Sequence, residues 1–103
     1  MSKQIEYAKS QIIEVLRHVN GIVVSLDRIG AAHADMTPDL WREAVVKYFL
    51  ESQALKSLAN CRAILSAPFS TELGPDNMDE LEREMADAEY WSYSDFLRRR
   101  SDL

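Results

Sequence analysis

Few side chains in this sequence are of kinds that do chemistry. His18 and His33 are its two histidines and Cys61 its one cysteine. Neither histidine has another His or Cys three or four residues away, the spacing that sets two ligands on one helix face, so no metal site is expected. His18 reads as a helix-rim residue one turn after Glu14, and His33 as a helix-end imidazole favoured by the negative end of the helix dipole. A catalytic histidine needs an oriented acid or nucleophile, and the sequence identifies none. Cys61, between Asn60 and Arg62 in a helical apolar pattern, reads as a buried structural thiol. With three glycines the chain holds no nucleophile elbow, Walker loop or dinucleotide fingerprint. The expectation is a protein that is not an enzyme and carries no cofactor.

One segment carries a resemblance. Arg28-Ile29-Gly30-Ala31-Ala32-His33 sets an Arg and a His either side of four residues, and in this it resembles the Arg-to-His motif of HEPN ribonucleases, which are all-helical. The resemblance implies metal-independent RNA cleavage resting on Arg28 and His33. The chain departs from the family pattern twice: Ile29 stands where the family usually has a polar residue, and the motif closes the first predicted helix instead of lying in a late one.

The strongest chemical feature is an uneven charge distribution. Up to residue 71 acids and bases nearly balance, whereas residues 72–95 hold Glu72, Asp76, Asp79, Glu80, Glu82, Glu84, Asp87, Glu89 and Asp95 against Arg83 alone. Acids in the first turn of a helix favour its positive end, and Arg98, Arg99 and Arg100 suit a negative end. Glu84, Asp87 and Glu89 lie beyond that first turn, and the spacings Glu80–Glu84 and Glu84–Asp87 set like charges side by side, costing a few tenths of a kcal/mol per pair (~0.2–0.5). A helix tuned only for its own stability would alternate signs. Beside the strip stand Tyr90, Trp91, Tyr93 and Phe96, of residue types that dominate interface hot spots. Trp91 and Phe96 are expected to pack inward and Tyr90 and Tyr93 to stay exposed. The predicted partner-binding surface is Asp79, Glu80, Glu84, Asp87 and Tyr90, with Trp91 and Tyr93 as anchors.

Composition limits the rest. The chain has 103 residues, a formal charge of −5 and 28% charged positions. That length suits one domain over residues 1–103. The acidic balance disfavours direct nucleic-acid binding, which needs clustered Lys and Arg. No apolar run approaches the ~20 residues that span a bilayer, and the start lacks the basic-then-apolar pattern of a signal peptide. A single cysteine fits a reducing compartment, so a cytoplasmic location is expected.

The elements follow from periodicity. Ile5, Ala8, Ile12, Val15, Val19, Ile22, Leu26 and Ile29 recur at alternating spacings of 3 and 4, predicting one long amphipathic helix, with Gly30 as a C-cap or Ala31, Ala32 and Ala34 prolonging it. Leu16 and Val23 widen the stripe enough to meet two neighbours. Thr37-Pro38-Asp39 announces a second helix, with Thr37 as N-cap and Pro38 at the first helical position, and Trp41 joins an apolar pattern that runs on to Leu65 as one long helix. Turn-formers from Ser66 to Gly74 form a connector. A third helix starts at Pro75, or one turn later with Asn77 as N-cap and Glu80 completing a capping box, and carries Met78, Leu81, Met85 and Ala88. Ser94-Asp95 is a cap for a short final turn. No segment alternates with period two.

The fold class expected is all-α: an antiparallel bundle of two long helices plus a shorter acidic third, with a two-fold dimer covering what the third leaves open. The function expected is a small acidic module that neutralises or masks a basic protein partner, in the manner of immunity proteins, antitoxins and anti-defence inhibitors, without nucleic acid or membrane as partner. The alternative is an assembly subunit that homodimerises through the 5–29 face.

Overall fold

The computed structural model describes residues 4–100, and over these the chain is α-helical without a strand. Its elements are α1 (Lys9–Ala31), a 3-10 turn (Ala32–Asp35), α2 (Pro38–Ser52), α3 (Ala54–Ser66), α4 (Glu80–Glu84) and α5 (Tyr93–Arg99). The chain forms two compact units, Met1–Pro68 and Phe69–Leu103, whose boundary falls inside the turn-rich connector.

In the first unit, α1 begins at Lys9, four residues after Ile5, because Ala8 adopts extended backbone geometry and its N–H donates to Gln11 Oε1 at 2.8 Å. Gly30 lies within the last turn of α1 and the helix ends on Ala32, from which the alanines continue as a 3-10 turn. Thr37 caps α2 as expected, its Oγ1 accepting from Leu40 N at 3.1 Å with Pro38 following. The predicted second long helix is two helices. Gln53 adopts a left-handed conformation with φ 56° and separates α2 from α3. The half-buried positions of α2 are Trp41, Ala44, Val45 and Tyr48, and those facing inward on α3 are Ala54, Ser57, Cys61 and Ile64. From Tyr48 to Ala54 is six residues, one short of the seven that return a continuous helix to the same face, so a break is needed to reset the register. Trp41 is half-buried, not a core residue: its ring meets His33 edge-on at 5.3 Å, and its Nε1 has no acceptor among the described residues.

α1 packs chiefly against α3. Tyr7 OH donates to Leu65 O at 2.6 Å and Cys61 Sγ to Val15 O at 3.7 Å, so rising numbers on one side meet falling numbers on the other and the two helices are antiparallel. Small side chains let them approach: Ala54 and Cys61, 2% and 5% exposed, are the only buried residues among those described. On α1 the half-buried line is Gln11, Val15, His18, Ile22, Ser25 and Ile29. The more apolar line, Ile12, Leu16, Val19, Val23 and Leu26, stays at least 36% exposed, with Leu16 and Val23 both at 58%. The predicted Ile5–Ile29 stripe is therefore divided: Val15, Ile22 and Ile29 are half-buried while Ile12, Val19 and Leu26 are exposed. The breadth that Leu16 and Val23 add suits two neighbours, and within this unit α3 occupies one side only.

In the second unit, α4 is a short helix with Asp79 as N-cap. Asp79 Oδ1 accepts from Glu82 N at 2.8 Å and Glu82 Oε1 from Asp79 N at 3.2 Å, a reciprocal capping box. The box lies two residues beyond the predicted pair Asn77 and Glu80. Asn77 instead has φ 61°, in the left-handed region that asparagine tolerates, and closes a turn through its N–H to Gly74 O at 2.9 Å. The helix stops at Glu84, whereas the sequence pattern carried it past Ala88. Acids crowd its C-terminal end, where the dipole is negative and neighbouring carboxylates repel. α5 starts two residues earlier than a cap at Ser94 would set it, with Ser92 Oγ accepting from Asp95 N at 3.2 Å.

Candidate functional site

The acidic segment sorts into carboxylates that are engaged and carboxylates that are free. Asp76 is the most engaged: both oxygens take Arg83, Nε at 2.8 Å and Nη2 at 3.0 Å, and Oδ1 also accepts from Met78 N at 3.1 Å. The guanidinium and then the Met78 N–H favour its charged form, bringing its pKa from 3.8 down to about 2, while Arg83 is raised in return. Arg83 Nη2 reaches Met78 O at 3.1 Å as well, so one arginine ties the Gly74–Asn77 turn to α4. Gly74 makes room for it, since a Cβ there would come within 2.6 Å of Nη2.

Two residues of the predicted binding surface are also engaged. Asp79 is the N-cap of α4, and Glu80 Oε2 accepts from Ser70 N at 3.3 Å; both are half-buried. Their type and spacing serve the local fold of the unit. Glu84 and Asp87 are exposed, as is Glu89, and their carboxylates make no hydrogen bond or ion pair among the described residues. Glu84 ends α4; Asp87, Glu89, Tyr90 and Trp91 lie on the non-helical segment between α4 and α5.

That segment leads into three aromatic rings that touch one another. Trp91 and Phe96 have centroids 5.9 Å apart, Trp91 and Tyr93 6.4 Å, and Tyr93 and Phe96 6.5 Å with near-parallel planes. All three separations lie in the range of favourable aromatic pairs. Ser92, which caps α5 between Trp91 and Tyr93, sets the turn that brings the rings together. The cluster is outward: Trp91 is 72% exposed, and Tyr90 at 77% extends it. The expectation that Trp91 packs inward fails, since its ring is largely exposed, whereas Phe96, 39% exposed, is the most covered of the three. Tyr90 and Tyr93 are exposed as expected. Phe96 belongs to the cluster, and the i, i+3 and i, i+5 spacings from Tyr93 and Trp91 are the signal that joined it. Arg83 and Gly74 were missed as organising residues. A carboxylate–guanidinium pair seven positions apart across a turn leaves no periodic trace.

The other residues with chemical potential stay apart. Arg28 sits in the last turn of α1 and His33 in the 3-10 turn, where its ring packs edge-on against Trp41; no hydrogen bond joins the two among the described residues. His18 is half-buried and lines a cleft of about 260 Å³ with Arg17, Tyr48 and Ser57, so it is more enclosed than a rim position beside Glu14. Cys61 is buried with its thiol toward the α1 backbone. Among the described residues no group of three His, Cys, Asp or Glu side chains converges as a metal site, and no helix is long and apolar enough to cross a membrane.

Comparison of the chain with protein-family models, with curated proteins and with solved structures finds no match.

Proposed function

We propose that this protein is a non-enzymatic interaction module whose Phe69–Leu103 unit engages a basic protein partner. One observation carries the reading: three mutually packed aromatic rings are held out to solvent beside acids, Glu84, Asp87 and Glu89, that have no internal use. Aromatic side chains supply large contact area at low entropic cost, and a rim of unpaired charge steers association with an oppositely charged surface. The binding set is Glu84, Asp87, Glu89, Tyr90, Trp91, Tyr93 and Phe96. Asp79 and Glu80 support it from within the fold. An acidic surface of this kind would mask a cationic partner such as a nuclease or toxin, consistent with the immunity-protein, antitoxin or inhibitor type.

The test is a tagged capture from native lysate at low salt. The wild type should retain a stoichiometric basic protein that raised salt releases. Glu84→Lys/Asp87→Lys/Glu89→Lys should lose it with unchanged helicity by circular dichroism, and Trp91→Ala should weaken it by ~30-fold or more, as loss of a hot-spot anchor does. Retention by the triple variant would sink the reading.

A second reading, an assembly subunit that works by homodimerisation, is favoured by the exposed apolar line of α1. An antiparallel bundle completed by a two-fold partner belongs to that reading. The ribonuclease reading rests on Arg28 and His33 alone, and it requires RNA cleavage that disappears in His33→Ala.

A further inference from the structure

The half-buried line of α1 carries His18 and Ser25 where a helix packed only for stability would carry aliphatic side chains. Both line the cleft of about 260 Å³ between α1 and the junction of α2 with α3. Four more polar residues reach it: Arg17 of α1, Tyr48 and Ser52 of α2, and Ser57 of α3. Of the six side chains only Ser25 is engaged, its Oγ donating to Gly21 O at 2.6 Å. The other five make no hydrogen bond or ion pair among the described residues. Covered polar groups ordinarily find a partner. Those of half-buried His18, Tyr48 and Ser57 keep access to one, since Trp41 Nε1 is the sole side-chain nitrogen or oxygen both sealed from solvent and unpartnered among the described residues. Their free donors therefore open on the cleft.

The lining also has a sign. It holds a guanidinium, an imidazole and hydroxyls and no carboxylate, in a chain with 17 acids against 12 Lys and Arg. Glu14, Asp27 and Glu51, the acids nearest along the chain, are exposed and stand outside it. The end of α2 and the start of α3 meet here, so their opposed dipole charges offset and the side chains decide what binds. Gly21, which also lines the cleft, is a second observation that points to an occupant. Glycine inside a helix is less stable than alanine, yet packing within the chain does not demand it, because a Cβ at Gly21 would meet nothing within 4 Å. What the glycine provides is room in the cleft.

We infer that this cleft binds the phosphate group of a small ligand, either inorganic phosphate or a phosphomonoester. An arginine fork gives phosphate two parallel bonds, and imidazole and hydroxyl groups give single ones. Arg17, His18, Tyr48, Ser52 and Ser57 thus offer about six donors, more than the roughly four acceptor sites of a carboxylate and suited to the three terminal oxygens of a phosphomonoester. At about 260 Å³ the cleft is smaller than the ~300–1,000 Å³ of sites for drug-sized ligands, so any organic part is small. The cleft shares no residue with the acidic and aromatic surface, and the two proposals stand or fall apart.

The test is titration of the full chain with inorganic phosphate, glycerol phosphate and acetate at constant ionic strength, followed by calorimetry and amide NMR. The wild type should bind one phosphate with a dissociation constant of roughly 1 mM or tighter, and the amide signals of Arg17, His18, Ser52 and Ser57 should move together. Arg17→Gln and Gly21→Leu should each weaken binding by ~10-fold or more. Gly21→Leu should do so at an unchanged or raised melting temperature, because leucine favours helix, and this separates a filled cleft from a damaged fold. Arg62→Gln, at an exposed site on α3 outside the lining, should bind as the wild type does. Tighter binding of glycerol phosphate than of inorganic phosphate would support the inference with a phosphomonoester as ligand; equal or weaker binding would support it with the free ion. No saturation by either, equally tight binding of acetate, shifts confined to residues outside the cleft, or a loss in Arg62→Gln equal to that in Arg17→Gln would overturn it.

Discussion

A single arginine does most to organise the acidic segment. Arg83 is its one base, and it is held by Asp76 and by Met78 O instead of being spread over the surrounding carboxylates. Asp76 has its pKa depressed in the folded chain, so its contribution to stability is present above its unfolded value of 3.8 and is lost as pH falls through about 2. Carboxyl NMR should therefore find an Asp76 midpoint near 2 that returns toward 3.8 in Arg83→Met, and Asp76→Asn should remove this part of the acid sensitivity of the Gly74–Arg83 region. A wild-type midpoint near 3.8 would contradict the bidentate geometry. The sequence made the excess of acids legible, since composition alone displays it. Which acids are free was not legible, because Asp79 and Glu80 are spent on a cap and on a loop N–H that only the folded turn brings near.

The helices end where local chemistry ends them. Thr37-Pro38 starts α2 by a rule that needs nothing beyond three residues, and it was readable as such. The break at Gln53 was readable only by asking whether apolar positions on both sides share a face, since each half by itself has good helical period. Its left-handed backbone costs a side-chain-bearing residue ~1 kcal/mol or more that glycine does not lose. Gln53→Gly should thus raise unfolding free energy by ~1 kcal/mol in a urea titration, whereas a continuous helix through 53 would be destabilised by about that amount. The early stop of α4 shows the reverse case. The apolar spacing of Met85 and Ala88 favoured continuation, and carboxylates at the negative end of the helix opposed it. The result frees residues 85–92 to present Tyr90 and Trp91 instead of wrapping them on a helix face.

At the scale of the whole molecule the question is where the core lies. Ala54 and Cys61 alone are buried among the described residues, and the assembly reading proposed above expects stability to depend on association. A tenfold dilution should lower the melting temperature by ~3–5 °C, the shift expected when about 1.4 kcal/mol is withdrawn from a two-chain unit of this size. A melting temperature independent of concentration would place the missing core elsewhere. The sequence by itself determined that the protein is helical, where α1 and α2 begin to within a few residues, and that one end is acidic and aromatic. These are properties of neighbours within a turn or two, set by backbone hydrogen bonding, capping and the repulsion of adjacent charges. It also showed that the apolar arc of α1 is wide enough for two neighbours. Only the tertiary structure decided which part of that arc faces α3: the small side chains of Ala54, Ser57 and Cys61 permit close approach along one line and leave the larger aliphatic line one residue further round. That choice depends on the fit of side-chain volumes between segments some 40 positions apart, and no periodicity within a single helix records it.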